Sequence, residues 1–205
     1  IDAVQKGGLH FRERFTITTT TPLENIDLSK ITLVNKDSVA VPFTHTRDDF
    51  NHKVFFDFEK VENEKYRMTM MPGALTDFYG KQNDTLNYKL STRAYTDYGN
   101  MYVKLKNVKR FPVILELIND KGEVLESAYS EKETQLDFKL LEPRKYILRL
   151  IYDDNKNGEW DTGDYLKKIQ PEEVIYKMDE KNPKKIKEVE VRAIWDWEED
   201  FDAGG

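Results

Sequence analysis

Apolar residues in this chain recur at every second position and almost nowhere at every third or fourth. In KVFFDF (53–58), Val54, Phe56 and Phe58 fall on one side of an extended chain. In YRMTM (66–70), Tyr66, Met68 and Met70 do the same. A period of two belongs to a strand with one wet face; on a helix, residues two apart point in different directions. An all-β architecture follows. FRERFTITT, ITLV, VAVPFT and LNYKLST are further strands of the first half, separated by NKDS, ENEK and GKQND. PGALTDFYG (72–80) is the exception, a short helical turn opened by Pro72 and closed by Gly80.

Near residue 95 the texture changes. AYTDYGN is a polar, aromatic connector, and seven strand candidates follow it: MYVKLKNV, PVILELI, EVLESAY, TQLDFKL, KYILRLIY, EEVIYK and IKEVEVRAIWDW. Short strands with turns every 8–12 residues make a β-sandwich. The expected organisation is therefore two β-sandwich domains, 1–95 and 96–198, and a disordered acidic tail over 199–205.

The stretch DDNKNGEWDTGD (153–164) follows the strand-like RKYILRLIY. Alternate residues of a tightly turning loop point inward, so Asp153, Asn155 and Asn157 converge and Gly158 permits the bend. Glu159 offers a backbone carbonyl, Asp161 a direct or water-mediated oxygen, and Asp164 the twelfth position; Trp160 is expected to anchor in the sandwich. Oxygen ligands at this spacing suit Ca2+, which takes about six to eight of them. Only three carboxylates and a short Asp at position twelve imply weak binding, about 10⁻⁴–10⁻³ M. A second reading stands beside it: Asp and Asn simply build Asx-turns and the loop holds no ion. With no His or Cys nearby, softer metals fit less well.

Charge agrees with where such a site sits. The first 95 residues carry as many Lys and Arg as Asp and Glu, so the whole net charge of -6 lies beyond them. An acidic chain without a basic, aromatic-studded cluster is not expected to bind nucleic acid. Cysteine is absent, which excludes disulfides and thiolate zinc sites. No apolar run reaches the length of a membrane-spanning helix.

Catalytic material is thin. GxSxG, HExxH, a P-loop and a Cys nucleophile are all missing. His45 and His52 flank TRDDFN, but that segment reads as a charged hairpin loop in which Asp48 and Asp49 point to opposite faces; His10 is isolated. Trp195 and Trp197 continue the face of Val189, Val191 and Ala193 and are expected to pack in the core, although a sugar-stacking platform is the alternative. Tyr95, Tyr98 and Tyr102 cluster at the junction. No catalytic residue is assigned, and the chain is expected not to be an enzyme.

Two resemblances bear on this. TTTPLENIDLSKITLVNKDSVAVPF and MPGALTDFYGKQNDTLNYKLST, together covering about 12–93, resemble bacterial Ig-like domains of the S-layer type, common in Bacteroidetes surface proteins. LEPRKYILRLIYDDNKNGEWDTGD resembles the signature of prealbumin-like sandwiches, including adhesin B-type repeats, with Arg144 where Gly is usual. The pairing, ending in VEVRAIWDW, looks like the end of Bacteroidetes Ig-like surface lipoproteins. The resemblance implies an Ig-like domain followed by a prealbumin-like one, in a carboxy-terminal piece of a larger protein, processed and held at the outer membrane by a lipid anchor outside this chain. It implies a cell-surface spacer, stalk or adhesive module with an unknown extracellular ligand, stiffened by Ca2+; a carbohydrate- or protein-binding module using aromatic residues is the alternative.

Overall fold

The structure, a computed structural model, describes residues 1–163, 168 and 170–204. It is all-β and divides into two compact units, Ile1–Ala94 and Tyr95–Gly205. Among the described residues no helix is long and apolar enough to cross a membrane, which says nothing about β-barrels.

The first unit contains β1 (Asp2–Ala3), β2 (Phe15–Thr18), β3 (Leu23–Ile26), β4 (Ile31–Val34), β5 (Phe43–Asp48), β6 (Lys53–Phe58), β7 (Lys65–Met70), β8 (Leu75–Asp77) and β9 (Leu86–Ser91). One sheet has the order β1-β2-β6-β5, a second β4-β7-β9, and β3 pairs with β8. The alternating sets meet between the sheets: Val54, Phe56 and Phe58 from β6 share one core with Tyr66, Met68 and Met70 from β7. Each such buried side chain contributes roughly 1.5–3 kcal/mol, so the alternation alone selects which face turns inward.

PGALTDFYG is not helical. Met71 to Ala74 form a turn in which the Ala74 N–H donates to the Met71 carbonyl at 3.0 Å, with Gly73 at φ +76°. Pro at the second turn position and a left-handed Gly at the third are the requirements of a type II turn. The chain then runs straight into β8, where Leu75 and Asp77 pair with Ile26 and Leu23.

The second unit contains β10 (Gly99–Lys106), β11 (Val113–Ile118), β12 (Val124–Ser130), β13 (Gln135–Leu141), β14 (Lys145–Tyr152), β15 (Val174–Tyr176), β16 (Glu188–Glu190) and β17 (Asp196–Asp202). Its sheets are β13-β10-β17 and β12-β11-β14-β15, with β16 also on β14. Met101, Val103 and Leu105 face Leu115, Leu148 and Leu150 across a single core.

Two expectations about the carboxy terminus are corrected. Residues 199–202 are strand, not disordered tail: β17 runs parallel to β10 in register from Asn100↔Asp196 to Lys106↔Asp202. Phe201 and Ala203 are fully buried, while Glu198 and Asp200 meet Lys104 and Lys106 at 3.2 and 2.7 Å. Asp196, Glu198, Asp200 and Asp202 occupy the outer face of the strand, and Glu199 on its inner face is paired with Lys177 and Lys187, so high charge does not oppose order here. IKEVEVRAIWDW is likewise not one strand. Between β16 and β17 the Trp195 N–H reaches the Arg192 carbonyl, and Ile194 adopts φ +68°. That turn breaks the phase of the alternation. Trp197 packs against the core, and Trp195 is half exposed with Arg192 5.3 Å from its ring.

Candidate metal centre

Strand β14 delivers the acidic loop. Its last residue, Tyr152, is fully buried and donates its hydroxyl hydrogen to the Ala203 carbonyl at 3.2 Å, fixing where the loop begins. Asp153 follows at 1 % exposure. One of its carboxylate oxygens accepts the Asn157 N–H at 3.2 Å and the other the Gly158 N–H at 2.9 Å. These bonds fold the chain back over five residues, with Gly158 at φ +79°, a backbone state that glycine reaches without penalty. No cationic side chain bonds Asp153 among the described residues, so backbone dipoles alone oppose the cost of burying its charge.

Asn155 and Asn157 complete the loop. Their Oδ1 atoms accept the N–H groups of Asn157 and Glu159 at 3.0 and 2.8 Å, and both Nδ2 groups donate to the same Asp161 Oδ2 at 2.5 Å. Asp153, Asn155, Asn157 and Asp161 are thus brought into one hydrogen-bonded network. Glu159 is exposed and enters through its N–H. Asp164 lies outside the described residues. Trp160 does not anchor in the sandwich: it is 43 % exposed.

Two residues outside the motif hold the loop. Glu172 is buried and accepts the Asp154 N–H at 2.9 Å and the Asp161 N–H at 3.1 Å, clasping both ends. Arg110 grips Asp154 with two bonds, 2.6 and 3.0 Å, and donates to Glu173 at 3.0 Å. The Arg110 bond holds the Asp154 carboxyl below the usual carboxylate range, and bonds from Lys109 and Arg110 do the same for Glu173. Neither Glu172 nor Arg110 carries a local sequence signal; each lies far along the chain from the bend.

The available donors are all oxygens, which suits a hard cation and no softer metal. Two carboxylates and two carboxamides are a low charge for Ca2+, and among the described residues no three Asp, Glu, His or Cys side chains gather around a point.

The other residues considered are dispersed. His45 lies mid-strand opposite Phe56, whereas His52 sits in the turn at φ +51°. Asp48 holds that turn through Asn51, and Asp49 pairs with Arg47 at 2.5 Å. Tyr98 is buried and Tyr95 is exposed.

No family model matches the chain. No curated protein matches it either. Among solved structures it is similar to the N-terminal part of the bacterial S-layer protein SbsC, at 13 % identity and TM-score 0.37, over 71 % of this chain and 39 % of that one. It is also similar to native alpha-2-macroglobulin from Escherichia coli spanning domains MG0-NIE-MG1, at 10 % identity and TM-score 0.37, over 79 % and 66 %. A third is BcpA, the major pilin subunit of Bacillus cereus, at 8 % identity and TM-score 0.29, over 96 % and 66 %. The chain spans less than two thirds of each of these structures. An S-layer protein and a pilin subunit are bacterial surface proteins, but likenesses this distant carry no argument about this chain.

Proposed function

We propose that the chain is a non-catalytic, tension-bearing module of a bacterial cell surface, a spacer or stalk rather than an enzyme. The observation that carries this reading is the parallel pairing of β10 with β17 over seven register positions. Parallel neighbours place the amino end of β10 and the carboxy end of β17 at opposite ends of the ladder. Pulling on those two ends drives the strands past each other along their length. All the rungs then resist together, where an antiparallel pair pulled from one end opens rung by rung. Side-chain bonds add to the ladder at Asn100–Asp196, Lys104–Glu198 and Lys106–Asp200.

The surface setting, and a lipid anchor elsewhere in a longer parent, rest on the resemblance of residues 12–93 to bacterial Ig-like domains of the S-layer type, of the acidic-loop segment to prealbumin-like adhesin repeats, and of their pairing to Bacteroidetes surface lipoproteins. Ca2+ is part of the same proposal: oxygens of Asp153, Asn155, Asn157 and Asp161 would hold it and stiffen the end of β14.

Single-molecule force spectroscopy of the full chain between inert handles tests the mechanical reading. In the first unit the amino-terminal segment meets β9 in parallel at one bridge only, Gly8↔Ser91. The second unit is therefore expected to yield at the higher force, with forced unfolding governed by the barrier and not by equilibrium stability. Yielding of the second unit at the lower force would remove the stalk reading.

A further inference from the structure

The outward face of the sheet β4-β7-β9 carries Thr32, Lys65, Arg67, Thr69, Asn87 and Lys89, and no acidic residue. Arg67 and Lys89 stand directly opposite each other in the β7–β9 register. Like charges in directly opposed positions weaken a sheet, and among the described residues neither cation has an acidic partner. Lys65 lies two residues before Arg67 on the same face, and Lys36 follows the end of β4. In a unit whose acidic and basic residues are equal in number, these four cations surround one open groove of about 480 Å³, into which Asn35 and Ser91 also face.

Glu64, the residue before Lys65, is already engaged. Glu64 accepts the Lys65 N–H at 2.8 Å and the Lys36 N–H at 3.3 Å, and its second oxygen lies 3.9 Å from Lys36 Nζ. Among the described residues no carboxylate pairs with the Lys65, Arg67 or Lys89 head groups.

We propose that this groove and face bind an extended anionic carbohydrate strand. Side chains two apart on a strand repeat every ~7 Å, and neighbouring strands lie about 4.8 Å apart. The cations therefore form a two-dimensional row suited to successive charged groups of a polymer, not to one small anion. Arg67 supplies a planar fork that matches a carboxylate or sulfate. Beyond the cations the face continues as Thr32, Thr69 and Asn87, with Thr69 donating to Asn87 Oδ1 at 2.9 Å. Hydroxyl and carboxamide groups of this kind pair with sugar hydroxyls. The aromatic residue lining the groove, Tyr66, is buried at 3 % exposure, with its hydroxyl accepting the Val61 N–H at 2.8 Å, so it offers no open ring of the kind on which single-stranded nucleic acid stacks.

Titration calorimetry of the full chain with four probes tests it: oligogalacturonate, dextran sulfate, neutral dextran and a single-stranded DNA oligomer. Binding of one or both anionic glycans is expected, the pattern telling uronate from sulfate, with none of neutral dextran. Raising salt from about 50 to about 300 mM is expected to weaken it about tenfold or more. The double variant Arg67→Ser, Lys89→Ser should lose affinity about tenfold while the first unit melts no lower than before, because a repulsive pair is gone. Lys53→Ser with Lys81→Ser, the same charge change outside the groove, should bind as the parent does. The proposal is overturned if neither anionic glycan binds, if the groove variant binds unchanged, or if the DNA oligomer binds as tightly as the glycans.

Discussion

Asn100 and Asp196 face each other at the first register position of the parallel β10–β17 pair, 96 residues apart in the chain, with the Asn100 Nδ2 donating to the Asp196 Oδ1 at 2.7 Å. From that point the last strand runs beside the first strand of its own unit. Its inward residues complete the core and its outward acids answer the lysines of β10. The carboxy-terminal segment is therefore a structural member, and its removal is open to direct test.

Phe201 is fully buried among the core residues of the second unit. Phe201→Ala is expected to lower the stability of that unit by about 4 kcal/mol, the transfer term plus the cavity left behind. A thermal melt followed by amide exchange should show only residues 95–204 affected. An unchanged melt would mean that β17 contributes no core.

Glu199 on β17 is buried, and around it converge Lys177 at 3.1 Å, Lys187 at 2.7 Å and the Trp197 indole N–H at 3.0 Å. Burial opposes its ionisation, but the bonds from Lys187, Trp197 and Lys177 outweigh burial and hold its carboxyl below the ordinary glutamate range. Its folded pKa is thus lower than its unfolded one. The stabilisation is complete above the unfolded pKa and is lost as pH falls through the folded value. Acid should therefore destabilise the second unit, and Glu199→Gln should cost about 3 kcal/mol at neutral pH by leaving the buried Lys177 with only the exposed Glu180, 3.9 Å away, as a charge partner. The variant should also show a flatter dependence of stability on pH. Parallel pH profiles of variant and parent would contradict the assignment.

Calcium at the Asp153 loop makes a thermodynamic prediction. Bound to the folded loop alone, it adds RT ln(1 + [L]/Kd), about 1.4 kcal/mol at ten times Kd. Millimolar Ca2+ should raise the melting midpoint of the second unit, a chelator should reverse the rise, and Asp161→Ala should abolish the response while Asp153 and Glu172 still fold the loop. No shift between Ca2+ and chelator would leave the loop as a set of Asx-turns.

How much of this was legible in the sequence varies by feature. The inward triplets Val54–Phe56–Phe58 and Tyr66–Met68–Met70 were readable because the pleat is a local property with a period of two. The convergence of Asp153, Asn155, Asn157 and Asp161 was readable for the same reason, since a tight loop sets its own geometry. The clasp by Glu172 and Arg110 was not, because each reaches the loop through the fold.

By itself, then, the sequence determined the all-β character, the inward faces of regular strands such as β6 and β7, and the bend at Gly158, all of which depend on residues within a few positions of one another. Only the tertiary structure decided that Glu198 to Asp202 would be a strand and that it would lie parallel to β10. Nothing within those residues distinguishes a solvated acidic tail from an acidic strand. The difference is made by a sheet edge 96 positions away whose lysines and apolar residues match them in register.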